Sequence, residues 1–336
     1  MTTTRSRLGR AVAVALVVVL SCWPAGLAVA ADPVAFTIAD PRITESSGLA
    51  TDRDAGVYWT VNDSGAQGTV YGLTSTGAVR GVLSYRATPV DVEAVAVHNR
   101  RLYVADIGDN GGRRPFVSVH FFDNPPAGNQ TVAYRSYDFA YPDGPHDAET
   151  LLVDGSGRLY LVTKGLQAGI YVAPAQPSRQ SVNRLRRVAD APAYVTDGVF
   201  LPGGKQIALR TYVSVLLLDA RSYQVTARDV VPLQRQGESL AVSMDGRSLL
   251  IGSEGRRSPV LQIPVPAAMG DVPDGGNQPP SGSASPSPTP SGSEEDPDPD
   301  DVPTPQASRT GSILALSLAG LVALVAGVVV AARRGP

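Results

Sequence analysis

A single cysteine, Cys22, is all that 336 residues provide, and it stands inside an N-terminal apolar stretch. Past residue 30 the chain has no disulfide, no thiolate metal ligand and no cysteine nucleophile, so whatever folds there is held by packing alone. Histidine is nearly as scarce: His98, His120 and His146 are the full set. An excess of either charge is lacking too. Lys and Arg number 29 against 31 Asp and Glu, a net charge of -2, which gives no basic face for nucleic acid. No G-x-S-x-G sequence marks a serine nucleophile. The glycine-rich "GTVYGLTSTG" reads as a strand and a turn, without the helix that a phosphate loop requires next. Helical periodicity is missing from residues 31–270, and long apolar runs are confined to the two ends.

The N-terminal end has Arg5, Arg7 and Arg10, an apolar core from Ala11 to Leu20, and Ala28-Val29-Ala30 before Ala31. That order predicts an export signal over residues 1–30, with an apolar run shorter than the ~20 residues a membrane span needs. The C-terminal end has an apolar run from Ile313 to Ala332, followed at once by Arg333 and Arg334. It predicts one transmembrane helix over 311–332, a cytoplasmic tail over 333–336, and everything before the helix outside the cell. No LPxTG sequence precedes it, so membrane anchoring is expected rather than sortase attachment. Residues 271–310 are rich in Pro, Ser, Gly and acid, with the acidic cluster Glu294 to Asp301. They have no apolar face to offset the entropy of ordering, and a disordered linker reaching on the order of 100 Å is expected.

Residues 31–270 repeat. "SGLATDRDAGVYWTVND", "EAVAVHNRRLYVADIGDN", "ETLLVDGSGRLYLVTKG", "DGVFLPGGKQIALRTY" and "ESLAVSMDGRSLLIGSEG" each run polar residue, apolar strand, tight turn, apolar strand, polar loop. They recur at the spacing of one four-stranded propeller blade. The last unit lacks a fourth strand, whereas "VAFTI" at 34–38 has no unit of its own. An all-β, five-bladed β-propeller follows, closed by the N-terminal strand, with a sixth blade in the longer second unit as the alternative.

In such a ring the first residues of the repeats, Ser47, Glu93, Glu149, Asp197 and Glu238, surround the axis at one face. The loops between second and third strands crowd around them. Glu93, Asp106, Asp109, Glu149, Asp197 and Glu238 are candidate metal ligands, and hard oxygen donors without thiols suit Ca2+ (or Mg2+). Glu45, Asn62, Asp63, Asp91, Asn110, Asp147, Lys164 and Arg210 are candidate ligand-binding residues, with Arg210 placed to grip an anion. His146, Glu149 and Arg210 are the candidates for catalysis. Asp and Asn in these loops also suit local turn hydrogen bonds, so a purely structural role stays open for each.

"ESSGLA", "WTVNDSG", the D-x-E of "DVEAVAV" and "LYVADIGDN" resemble a family of exported bacterial propeller proteins common in actinobacteria, variously labelled WD40-like or esterase-like. Val92 and Ala94 depart from the family's "DWEDIA". The resemblance implies an exported propeller; its labels are fold-level analogies and name no reaction. Three readings remain: a monomeric surface module binding an extracellular small-molecule or protein ligand, a metal-dependent hydrolase of phosphoesters, esters or lactones, and a structural envelope protein.

Overall fold

The computed structural model describes residues 33–267, and the expected signal, linker and membrane helix lie outside them. The described residues fall within the first of two units, Met1–Asp274. They form five sheets, antiparallel apart from two short edge pairings, and, among the described residues, no helix. Blade 1 is Ser46–Asp52, Val57–Asn62, Gly68–Leu73 and Val79–Tyr85; blade 2 is Val92–His98, Arg101–Asp106, Val117–Asp123 and Arg135–Ala140. Blade 3 is Ala148–Val153, Leu159–Thr163, Gly169–Val172 and Arg186–Asp190. Blade 4 is Val195–Phe200, Gln206–Thr211, Ser214–Asp219 and Val225–Val230. Blade 5 is Ser239–Val242, Ser248–Gly252 and Ser258–Pro264, and Val34–Ile38 completes it by pairing antiparallel with Ser258–Pro264.

The ring closes. Each innermost strand touches those of the two adjacent blades, in the cycle 1-2-3-4-5-1. Five apolar clusters fill the five gaps between blades. Strands covered on both faces are buried along nearly their whole length, as in Val57–Asn62 and Leu159–Thr163, whereas the outer strand Val79–Tyr85 alternates buried with partly exposed residues. Trp59, fully buried between blades 1 and 2, donates its indole N–H to Asp52 at 3.0 Å. The turns on the far face are held locally: Asp154 accepts from the amides of Ser156 and Arg158, and Asp245 from that of Arg247.

Two features differ from the sequence expectation. The extra residues of the second unit form no sixth blade; Gln130–Thr131 runs back to pair parallel with Val79–Tyr85 of blade 1. The run "NRLRRVA", read as one strand, divides at Leu185. Asn183–Arg184 pairs parallel with Arg135–Ala140 of blade 2, and Arg186–Asp190 completes blade 3. Leu185 is buried in the cluster between those blades, so the chain crosses where its apolar side chain can anchor it.

Candidate functional site

Four innermost strands skip one residue in their ladders near the start. The extra residue is Gly48 in blade 1, Glu93 in blade 2, Glu149 in blade 3 and Thr196 in blade 4. In blade 5 the amide of Glu238 donates to Gly252 O at 3.3 Å, while Gly252 also pairs with Ser239, so Glu238 takes the equivalent place. A bulge turns its extra residue out of the ladder; here it turns a ring of residues toward the axis. A second tier sits above. The amides of Asp63, Gly108, Lys164 and Glu254 donate to the carbonyls of Glu45, Asp91, Asp147 and Gln236, and these bonds bring the loop residues over the bulge ring.

The alignment of first residues is therefore one position out in two blades. Asp197 is not in the ring. It lies opposite Arg210 in the ladder, fully buried, and accepts from the amides of Gly198 at 2.7 Å and Leu240 at 2.6 Å, stitching blade 4 to blade 5. Thr196 takes its place and donates to Gly237 O at 2.8 Å. In blade 1 the ring residue is Gly48 rather than Ser47. Its φ is +75°, and a Cβ there would lie 2.9 Å from Val95 N, so this blade has no room for a carboxylate at that level.

Three glutamates remain in the ring. Glu149 pairs with Lys164 Nζ at 2.5 Å. The same ammonium stands over the Tyr212 ring at 5.6 Å, and Tyr212 donates its hydroxyl to Glu238 Oε1 at 3.3 Å. Glu238 Oε2 is buried and has no hydrogen-bond partner. Glu93 hydrogen-bonds to Asp91, which also bonds to Asn110. Gly108 makes this possible, because a Cβ on it would fall 2.4 Å from Asp91 Oδ2 and 2.7 Å from Glu93 Oε1.

Above them Asp63 hydrogen-bonds to Glu45, Ser64 donates to Glu45 at 2.7 Å, and Gln236 donates to Glu254 at 2.7 Å. Burial and mutual repulsion raise Glu93, Glu149, Glu254 and Asp63. Burial, with Glu149, Asp91 and Glu238 nearby, pushes Glu93 up to about 11. Burial and Glu238 push Glu149 up to about 8 against the pull of Lys164. Burial, Glu238 and Asp63 push Glu254 up to about 7, and burial with Glu45 pushes Asp63 up to about 6.

Other expected site residues hold the scaffold. Asp106 accepts from the amides of Val90 and Asp91 and pairs with Arg114 at 2.8 Å. Asp109 accepts from the amides of Arg113 and Arg114, and Asp147 from that of Asp109. Asn62 accepts from the amides of Thr44 and Glu45. Arg210 is no anion grip. It is fully buried, and its terminal nitrogens donate to Ser239 O, Gly252 O and Gln234 Oε1. His146 stands apart from the glutamate ring, its Nε2 3.0 Å from Asp143 and 3.1 Å from the Tyr171 hydroxyl.

Among the described residues no three acids or histidines are drawn together as a metal cage. The expected ligands Asp106, Asp109 and Asp197 are committed to backbone amides. The other three, Glu93, Glu149 and Glu238, surround an ammonium, so a preformed Ca2+ site does not fit this donor set. Sequence reasoning missed Tyr212, Gln236 and Thr196. Tyr212 had one signal, its place in the loop between second and third strands of blade 4, just as Lys164 stands in that of blade 3. Below the acids the axis turns apolar: a cavity of about 160 Å³ is lined by innermost strands of all five blades, including Ala50, Val95, Leu151, Val199 and Ala241.

No family model and no curated protein matches the chain. Among solved structures it is similar to a gluconolactonase from Xanthomonas campestris, at 17% identity over 68% of this chain and 89% of that one, with a TM-score of 0.40. It is also similar to the hydrazine synthase of Kuenenia stuttgartiensis, at 17% identity over 62% and 56% with a TM-score of 0.37. The β-propeller domain of Cps50 (Swd1) from Myceliophteria thermophila matches at 16% identity over 62% of each chain, with a TM-score of 0.38. Likenesses this distant say nothing about activity.

Proposed function

We propose that the protein is a binding module, carried outside the cell on its C-terminal membrane anchor, whose acidic funnel takes a cationic group. One observation carries the reading: Glu238 Oε2 is buried without a hydrogen-bond partner, although the Lys164 ammonium and the buried Arg210 guanidinium both act on that carboxylate. A buried carboxylate oxygen left unpaired costs about 1–3 kcal/mol or more, and an arriving N–H donor recovers it. Lys164 demonstrates that the lining solvates an ammonium, through Glu149 and the Tyr212 face. An organic ammonium or guanidinium suits this spread of donors better than a bare divalent ion, which would have to draw three glutamates inward.

The test is thermal stability of the purified protein against agmatine, spermidine, Ca2+ and Mg2+. Agmatine at 100 times its dissociation constant adds about 2.7 kcal/mol to the native state, and the shift disappears in Glu238→Gln. A shift with Ca2+ alone makes the funnel a divalent-metal site. No shift with any cation removes the reading and leaves a structural role.

Hydrolysis is the second reading. Its support is the place of Glu254 in the second tier, half-buried and held by Gln236 Nε2 at 2.7 Å, where burial and Glu238 push it up to about 7, the range a general base needs. It requires turnover of an ester, lactone or phosphoester that Glu254→Gln abolishes.

A further inference from the structure

Of the large apolar side chains exposed along blades 3 to 5, five lie in or beside the loops at the acidic end. Leu166 is 78% exposed, Tyr194 44%, Val213 55%, Val230 84% and Leu233 87%. Scattered exposed leucines need no explanation, but these five are linked to one another and to the funnel. Leu166 is two residues from Lys164, and Val213 adjoins Tyr212, over whose ring the Lys164 ammonium sits. The Tyr194 amide donates to Gly165 O at 3.1 Å, and the Val231 amide to Val213 O at 3.0 Å. Gln234, next to Leu233, receives Arg210 Nη2 at 2.7 Å. The Glu45, Asp63 and Asp91 carboxylates belong to blades 1 and 2, on the opposite arc. Val90 and Phe116 are exposed on that arc too, 67% and 41%, and Glu254 adds a carboxylate to blade 5, so acidic and apolar groups mix around the ring, with the apolar ones more numerous over blades 3 to 5.

A free inorganic cation has no use for the apolar arc. An anionic membrane surface is repelled by the acids beside it. An extended peptide uses both. A basic side chain brings N–H donors to the unpartnered Oε2 of Glu238, its aliphatic stem packs against Tyr212, and apolar neighbours cover the exposed arc. We infer that this face binds a peptide segment of a partner protein that inserts one lysine or arginine into the funnel and lays apolar residues on the Leu166–Val213–Leu233 arc. The inference rests on the reading of the funnel as a cation site and assigns the partner class for it.

The test selects short random peptides displayed on phage against the purified full-length protein. The winners are then titrated against wild type, Glu238→Gln and the Leu166→Ser/Leu233→Ser double variant, with agmatine binding measured in parallel. Both leucines are largely in solvent, so the double variant keeps the fold. The expected winners carry a lysine or arginine beside apolar residues. The double variant weakens them by about tenfold or more and leaves agmatine binding unchanged, and Glu238→Gln weakens both. Three results overturn the inference while agmatine still binds: winners without a basic residue, winners indifferent to the double variant, or no enrichment. If agmatine fails to bind wild type, the funnel reading itself falls.

Discussion

Gly108 shows how a single residue sets the chemistry. In "ADIGDN" the surrounding acids draw the eye, yet Asp106 and Asp109 are consumed by backbone amides and Arg114. The glycine between them leaves room for Asp91 and Glu93 to meet. Gly108→Ala puts a methyl within 2.4 Å of Asp91 Oδ2. It should cost about 1–3 kcal/mol in a urea titration and weaken agmatine binding; an unchanged midpoint would show that the carboxylates are not confined there.

The same crowding fixes the pH response. Asp63, Glu254 and Glu149 keep protons up to about 6, 7 and 8, whereas in the unfolded chain they lose them near the ordinary carboxylate range. The native state binds more protons across that window, so stability falls as pH rises through it. Asp143 and Asp154, held below the ordinary value, oppose this only at more acidic pH. The melting temperature should be higher at pH 5 than at pH 8, and cation affinity should run the other way, because each proton lost from Asp63, Glu254 or Glu149 adds a negative charge beside the ligand. Which acids converge was largely legible: Glu93, Glu149 and Glu238 stand first in their repeats. Asp197 also stands first, but a bulge at Thr196 shifts it by one position, and a one-residue shift reverses the side on which a strand residue lies. No pattern in the sequence marks that shift. Arg210 misled for a related reason: its charge is spent inward on carbonyl groups.

At the scale of strands, hydrophobic spacing and turn residues were enough to place the innermost and middle strands, and the unfinished last repeat was enough to assign Val34–Ile38 to it. What spacing does not contain is partnership between blades. Gln130–Thr131 is too short and polar to announce itself, and its place on blade 1 is fixed by hydrogen bonds to Val79–Tyr85. Asn183 crosses between blades by donating to Asp138 O and Ser178 O and accepting from the Ser178 amide. The closing strand has the larger consequence. Ile38 is 1% exposed within the cluster joining blades 5 and 1. Ile38→Ala should cost about 2–5 kcal/mol by equilibrium denaturation, despite sitting far in sequence from every residue of blade 5. A loss under 1 kcal/mol would mean that the ring holds without its closing strand.

At the scale of the molecule, polarity is arranged along the axis. Bulges and loop bonds gather acids at one end, and the strands below them line an apolar cavity. Radial repetition makes this economical, since one local device, a bulge near the start of the innermost strand, supplies a ring when it is repeated. The axial arrangement was readable from the repeats; the exposure of Leu166, Val213 and Leu233 was not, because nothing in their loop sequences shows how far each side chain stands in solvent. The central claim is that a cationic group enters this ring and pairs with Glu238. A crystal structure of the protein grown with agmatine tests it most directly. An ammonium or guanidinium nitrogen is expected within hydrogen-bonding distance of Glu238 Oε2, above the Lys164–Glu149 pair. Agmatine bound elsewhere on the propeller, or a glutamate ring empty of it at saturating concentration, would rule that pairing out.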